Sequence, residues 1–278
     1  MIKVLCTDLD GTLLRSDKTI SEYTVNVLRK AINSGITLVP VTGRHLGGIP
    51  SEIMDLNIKY AITSNGASLY DIKNSCIIRE CVLPDETLRS LLPLFEELDI
   101  MADIFTCSEA FTDPRNLDIL NDVDASDAVK HYIRNSRTIT DRIIDYYYSE
   151  KPSVEKLTVN FRKTADGYKN RDRLIEILST YSGLSCVTGG ANNIEITSAS
   201  ATKGCCITYL SEMLNIPLSE FAAIGDTEND TSMLTTAGIS IAMANADGPL
   251  KKISRYITEY DNDNNGAAIE IEKRFLIK

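Results

Sequence analysis

Short apolar runs along this chain repeatedly stop at clusters of polar and acidic residues. Ile2-Lys3-Val4-Leu5-Cys6-Thr7 leads into Asp8-Leu9-Asp10-Gly11-Thr12-Leu13-Leu14, and a brief apolar run halted near a glycine predicts a buried strand. Residues 36–41 run into Thr42-Gly43-Arg44, and residues 60–63 run into Ser64-Asn65-Gly66-Ala67. Residues 221–224 run into Gly225-Asp226-Thr227-Glu228-Asn229-Asp230, and a final strand is expected over 239–243. Between the first two strands a helix is predicted over 21–34, with Val25, Leu28 and Ile32 as its apolar stripe, Ser21 as N-cap and Gly35 as its stop. Strands alternating with helices predict a parallel sheet, where ligands bind beyond the carboxyl ends of the strands. Each polar cluster falls at such an end.

The middle of the chain has a different grain. A helix over 85–98 carries Leu88, Leu91, Leu92, Phe95 and Leu98 on one side. Strands are expected near 100–107, 155–162, 184–188 and 193–197, helices near 116–135 and 169–181, and a turn at Asp166-Gly167. This pattern predicts an α+β unit over 83–190, inserted between two halves of an α/β core at 1–82 and 191–278. Asn262-Asp263-Asn264-Asn265-Gly266 reads as a surface turn, and Tyr146-Tyr147-Tyr148 as sheet or surface packing.

Composition narrows the function. The 278 residues suffice for two domains and a large core, so no disulfide or metal staple is required. No stretch approaches a membrane span, and the N-terminus lacks a basic segment followed by an apolar one, so a soluble cytoplasmic protein is expected. Seven scattered cysteines without a Cys-x-x-Cys pair are expected to be reduced, mostly buried thiols. The formal net charge of −10 argues against nucleic acid or an anionic membrane as partner. An anionic small molecule would also be repelled, unless a divalent cation and a few basic groups reverse the field locally.

The strand ends supply candidates for that reversal. Asp8 and Asp10 are two apart, so in an extended backbone they project from one face. At about 4 Å two carboxylates repel by about 4 kcal/mol at an effective dielectric of 20, which a cation or a retained proton can offset. Asp8 can attack an electrophilic phosphorus, and Asp10 can protonate the departing alcohol and then deprotonate water. Thr42 offers a hydroxyl to a phosphate oxygen, and Lys203 a positive charge to the phosphoryl group and Asp8. Asp226 and Asp230, one helical turn apart, can face one Mg²⁺ ion. Singly, each has a plainer reading: an Asp-Gly turn, a helix N-cap at Asp226, a surface lysine, a solvated or structural Arg44, a tight turn at Asn65-Gly66. Those readings do not account for the shared placement at strand ends.

Asp8-Leu9-Asp10-Gly11-Thr12-Leu13-Leu14, Thr42-Gly43-Arg44, Asn65-Gly66-Ala67, Lys203-Gly204 and the run from Gly225 to Leu234 together resemble the haloacid dehalogenase superfamily, and within it the Cof-type phosphatases. The resemblance implies a Rossmann-like core with an inserted α/β cap that closes over the substrate, and Mg²⁺-dependent hydrolysis of phosphate monoesters. It implies Asp8 as nucleophile and metal ligand, and Asp10 as general acid/base with its backbone carbonyl on the metal. It further implies Asp226 as metal ligand with Asp230 supporting it. Thr42, Gly43, Lys203 and Asn229 would bind the phosphoryl group, with Asn65 and Gly66 lining the same pocket. The expected activity is that of a phosphatase of small phosphorylated metabolites such as sugar phosphates. The alternatives are a phosphotransferase or mutase using the same aspartyl-phosphate, and a binding protein without turnover. Neither His45 nor His131 is given a catalytic role.

Overall fold

The computed structural model describes residues 2–165, 167–188 and 192–276. Among these, one compact unit takes the chain up to Arg44, Ile49–Arg79 and everything from Ala201 onward, and a second takes His45–Gly48 and Glu80–Ser200. The divisions fall after Arg79 and Ser200 rather than at 82/83 and 190/191, because Asn193–Ser198 is a strand of the second unit's sheet. Of the expected Asp166-Gly167 turn, Asp166 lies outside the described residues, as do 189–191 at the expected boundary.

The first unit is built on a five-stranded sheet in the order Tyr256–Ile257, Ile239–Ala242, Phe221–Gly225, Val4–Thr7, Thr37–Pro40, every pair parallel. Val4–Thr7 is wholly buried as an interior strand next to the central Phe221–Gly225, as a continuous apolar run between covered faces requires. Ile239–Ala242 is not the last strand; the two-residue Tyr256–Ile257 pairs beyond it, too short to register as a periodic signal. Tyr60–Thr63 forms, but in a separate three-stranded sheet with Ser68–Asp71, its antiparallel partner, and Cys76–Glu80, joined to the main one by a Val41–Ile62 bridge. The first helix is Glu22–Asn33, with the Ser21 hydroxyl accepting from the Thr24 amide. Its buried face is Thr24, Val27, Leu28 and Ala31, while Val25 and Ile32 are half-buried. The buried i, i+3, i+4, i+7 row lies one position over and takes in Thr24, whose hydroxyl is engaged by the Ser21 hydroxyl and the Asn265 side chain.

The second unit has a six-stranded sheet ordered Leu184–Val187, Asn193–Ser198, Lys156–Asn160, Met101–Phe105, Ala110–Thr112, Thr138–Ile139, antiparallel except for the last pair. Alternate residues Ala102, Ile104, Leu157, Val159, Ile194 and Ile196 form one apolar face, in a core shared with the helices Asp85–Glu97, Ile143–Glu150 and Lys169–Leu178. The expected helix over 116–135 is two helices, Pro114–Asn121 and Asp127–Asn135, broken where Val123 bridges to Arg162. The three tyrosines lie on Ile143–Glu150, not on a strand: Tyr147 is buried and hydrogen-bonds Asp85, and Tyr146 stacks on Phe111.

All seven cysteines are free, but only Cys6, Cys107 and Cys206 are buried; Cys76, Cys186 and Cys205 are exposed. Among the described residues no helix is long and apolar enough to cross a membrane. Leu157 is fully buried at the middle of the second sheet. Leu157→Ala is therefore expected to cost about 2–5 kcal/mol of unfolding free energy in guanidinium titration, and a loss below about 1 kcal/mol would contradict this packing.

Candidate active site

Adjacent parallel strands bring two carboxylates together. Thr7 is in register with Ile224, and the Asp8 amide donates to the Ile224 carbonyl at 3.0 Å. Asp8 and Asp226 therefore leave the ends of neighbouring strands, Asp226 one residue beyond the level of Asp8, on strands about 4.8 Å apart. Asp230 joins them from the turn that follows. Its Oδ2 accepts from the Asp226 amide at 2.8 Å and the Thr227 amide at 3.1 Å, closing a capping box with Thr227 as N-cap. One ligand oxygen from each of Asp8, Asp226 and Asp230 lies within 4.8 Å of the others.

Lys203 closes the cluster. Thr202 caps the Lys203–Leu214 helix, its hydroxyl accepting from the Cys205 amide at 3.1 Å, which makes Lys203 the first helical residue. The fully buried ammonium lies 2.6 Å from Asp8 Oδ1 and 2.6 Å from Asp230 Oδ1. Two glycines let the backbone come this close. A Cβ on Gly11, at φ +79°, would lie 2.2 Å from Asp226 Oδ2; one on Gly66, at φ +94°, would lie 2.3 Å from the Thr202 carbonyl carbon. Next to Gly11, the Thr12 hydroxyl donates to Asp226 Oδ1 at 3.1 Å.

Thr42 is buried, and its backbone pairs with Ile62 and Asn65, so the second and third polar clusters are stitched together. Gly43 occupies the bend between Thr42 and Arg44. Asn65 takes φ 59°, and its Oδ1 accepts from Asn229 Nδ2 at 3.2 Å, tying that turn to the Asp226–Asp230 turn.

Asp10 stands apart from the three-carboxylate cluster. Arg44 forks onto it, Nε to Oδ2 at 2.7 Å and one terminal nitrogen to Oδ1 at 2.8 Å, and Lys18 Nζ adds 2.9 Å to Oδ1. The side-chain cations therefore differ: Lys203 meets Asp8, and Arg44 with Lys18 meets Asp10. Arg44 is buried, not solvated, and its bidentate grip was legible only as its position two residues after Thr42. Lys18, close to Asp10 in sequence, lay outside every motif, and Thr12 lay inside the first one without an assigned role. His45 is buried between the Ser108 and Ser136 carbonyls of the second unit, and burial pushes its imidazole down to about 4. His131 hydrogen-bonds Asn135 on the surface of its helix.

The electrostatics follow from this division. Burial raises the Asp8 pKa well above the carboxylate range; Lys203 opposes the rise, and Asp230 and Asp226 add to it. Burial, then Asp230, pushes Asp226 up to about 7 against the Thr12 hydrogen bond and Lys203. Burial would lower the Lys203 pKa, but Asp230 and Asp8 outweigh it and hold the ammonium charged. Burial would raise Asp10 too, yet the Arg44 and Lys18 contacts outweigh it and keep that carboxylate ionised. Three carboxylates against one ammonium leave an excess of negative charge among hard oxygen donors. That donor set fits a divalent cation of the Mg²⁺ or Ca²⁺ kind.

A family model described as haloacid dehalogenase-like hydrolase matches residues 5–271. The chain is 29% identical to Phosphatase YwpJ of Bacillus subtilis over 96% of this chain and 98% of that protein. It is 27% identical to 5-amino-6-(5-phospho-D-ribitylamino)uracil phosphatase YwtE of the same organism, over 98% of each. A solved structure of a haloacid dehalogenase-like hydrolase from B. subtilis superimposes with a TM-score of 0.84 at 28% identity, covering 99% of this chain and 100% of that one. The chain belongs to the haloacid dehalogenase-like hydrolases, and both of these relatives are named phosphatases.

Asp226 carries a folded-state pKa near 7 against an ordinary 3.8. In cation-free protein the folded state therefore binds that proton more tightly than the unfolded chain, and this contribution to stability fades as pH rises toward 7. A divalent cation needs the ionised form. The rise in Tm on adding Mg²⁺ is expected to be larger at about pH 8 than at about pH 5.5. An increment equal at both, by scanning calorimetry, would contradict the protonated Asp226.

Proposed function

We propose that this protein is a Mg²⁺-dependent phosphatase that hydrolyses small phosphorylated metabolites, sugar phosphates among them, through an aspartyl-phosphate on Asp8. The observation that carries the reading is the buried Lys203 ammonium shared by Asp8 and Asp230 beside Asp226. Uncatalysed monoester hydrolysis is so slow that enhancements up to about 10²¹ are needed, and positioning with charge neutralisation supplies most of this.

In the first step an Asp8 carboxylate oxygen attacks phosphorus, the ester P–O bond breaks, and the leaving oxygen takes a proton from Asp10. In the second, Asp10 takes a proton from water, the water oxygen attacks phosphorus, and cleavage of the acyl-phosphate P–O bond returns Asp8 and inorganic phosphate. Asp10 as described is in the proton-accepting form. A dianionic phosphate beside it opposes Arg44 and Lys18 and raises its proton affinity for the first step. Lys203, Thr42 and Asn229 hold phosphoryl oxygens, with Gly43, Asn65 and Gly66 shaping the same pocket. Asp8, Asp226, Asp230 and the Asp10 backbone carbonyl would hold Mg²⁺, which supplies charge neutralisation at the phosphoryl group.

Choice among substrates is assigned to the second unit, whose sequence differs in kind from the motif-bearing core. The net charge of −10 suits a cytoplasmic enzyme of small molecules rather than of nucleic acids or anionic membranes.

Asp8→Asn is nearly isosteric, so it is expected to leave the fold intact and lower kcat about 10³-fold or more. Mg²⁺-dependent turnover persisting in that variant would remove Asp8 as nucleophile. Chelation is expected to stop turnover of a monoester panel and readdition of Mg²⁺ to restore it. Free phosphate should appear one for one with the released alcohol; phosphate moved instead to an added sugar hydroxyl would make the enzyme a phosphotransferase.

A further inference from the structure

Residues 261–266, an acidic and amide-rich turn, stand 250 positions from the Asp10 loop in sequence and lie alongside it in the folded core. Asn262 is buried; its Nδ2 donates to the Leu14 carbonyl at 2.9 Å. The next residue, Asp263, receives both the Ser16 amide at 2.8 Å and the Ser16 hydroxyl at 2.7 Å. Asn265, at φ 61°, accepts from the Ser21 hydroxyl at 2.6 Å, at the N-cap of the first helix. Asn245 completes the row: its Oδ1 accepts from the Asn262 amide at 3.2 Å and its Nδ2 donates to the Gly11 carbonyl at 2.9 Å.

These contacts bracket the acid/base residue. Asp10 forms a backbone bridge with Leu14, and the Leu14 amide donates to the Leu9 carbonyl at 2.8 Å, so Leu9 to Leu14 is a closed turn. Asn245 grips this turn at Gly11 and Asn262 grips it at Leu14. Ser16, held by Asp263, belongs to the small turn in which the Lys18 amide donates to the Arg15 carbonyl, and Lys18 reaches back to Asp10.

The same run has the order Asp-x-Asp-x-Asn-Gly, with Glu272 six residues beyond Gly266, which is the ligand spacing of a calcium-binding loop. The structure engages those groups otherwise. Asp261 Oδ1 accepts from Asn264, Asp263 and Asn265 hold the Asp10 side of the core, and Glu272 accepts from Lys30 and Tyr23.

We propose that Asn262 and Asn245 are positioning residues that fix the Leu9–Leu14 turn, and with it Asp10 and the Thr12 contact on Asp226, in the geometry the reaction requires. The inference rests on the phosphatase reading. A turn released at one end shifts Asp10 by fractions of an ångström, which leaves phosphate binding at Lys203 and Thr42 in place but lowers the rate of proton transfer.

The test uses the full chain with Mg²⁺ and p-nitrophenyl phosphate. Asn245→Asp keeps the oxygen that accepts from Asn262 and replaces only the donor to Gly11. Asn262→Asp does the same at Leu14. Each is expected to lower kcat about 10-fold to 100-fold with KM changed less than about 2-fold, measured well below Tm. Glu272→Gln loosens the C-terminal helix from Lys30 and Tyr23 without touching this row, and is expected to lower Tm with kcat unchanged. Unchanged kcat in Asn245→Asp, an exposed site that tolerates substitution, overturns the inference, as does an equal kcat loss in Glu272→Gln. A wild-type chain without turnover would instead sink the phosphatase reading itself.

Discussion

The mutual repulsion of buried carboxylates is the constraint around which the core is arranged. Asp8, Asp226 and Asp230 have oxygens within 4.8 Å of one another, and each adjacent charged pair at such a distance opposes folding by several kcal/mol in a partly polar interior. A single buried ammonium, Lys203, meets two of them. The third, Asp226, is left with a hydroxyl from Thr12 and a raised proton affinity. An arrangement that satisfied all three with protein groups would be more stable and would have no use for a cation. The shortfall of positive charge is what leaves the cluster able to take a divalent ion, and the acidity of the chain as a whole does not oppose that ion as it would a phosphate ester.

Arg44 and Lys18 complete the division of labour by removing Asp10 from that competition. Its carboxylate is ionised by its own pair of cations, outside the group of three. Two carboxyl groups two residues apart thus occupy opposite electrostatic settings, one surrounded by excess negative charge and the other by excess positive charge. That contrast leaves Asp8 within the three-carboxylate cluster and Asp10 outside it, as the roles proposed above for the two residues require.

Where a feature depended on local pattern, the sequence disclosed it. The strands at Val4–Thr7, Tyr60–Thr63 and Phe221–Gly225 and the helix Asp85–Glu97 follow directly from apolar runs and 3.6-residue spacing. Features that depended on distant partners did not appear. Arg44 read as a solvated or structural cation because its partner could not be seen, and Asn262 read as part of a surface turn for the same reason. The Ile143–Glu150 helix was missed since a run of three tyrosines favours extended structure locally, and only burial of Ile143, Ile144 and Tyr147 against the second sheet selects the helix. The stripe of the Glu22–Asn33 helix shifted by one residue because hydrophobicity alone undervalues Thr24, a polar residue that is buried with its hydroxyl engaged by Ser21 and Asn265.

The order of the parallel strands has one further consequence. Val4–Thr7 pairs on one side with Thr37–Pro40, soon after it in the chain, and on the other with Phe221–Gly225. On the ribosome, that second neighbour is synthesised more than two hundred residues after the first strand has emerged. The nascent N-terminal segment must therefore wait with an unpaired edge, while the inserted unit has all its strands available by Ser198. Such late, long-range pairing slows folding and exposes an apolar edge to neighbours. A translation product ending before Phe221 would keep that edge of Val4–Thr7 without its native partner.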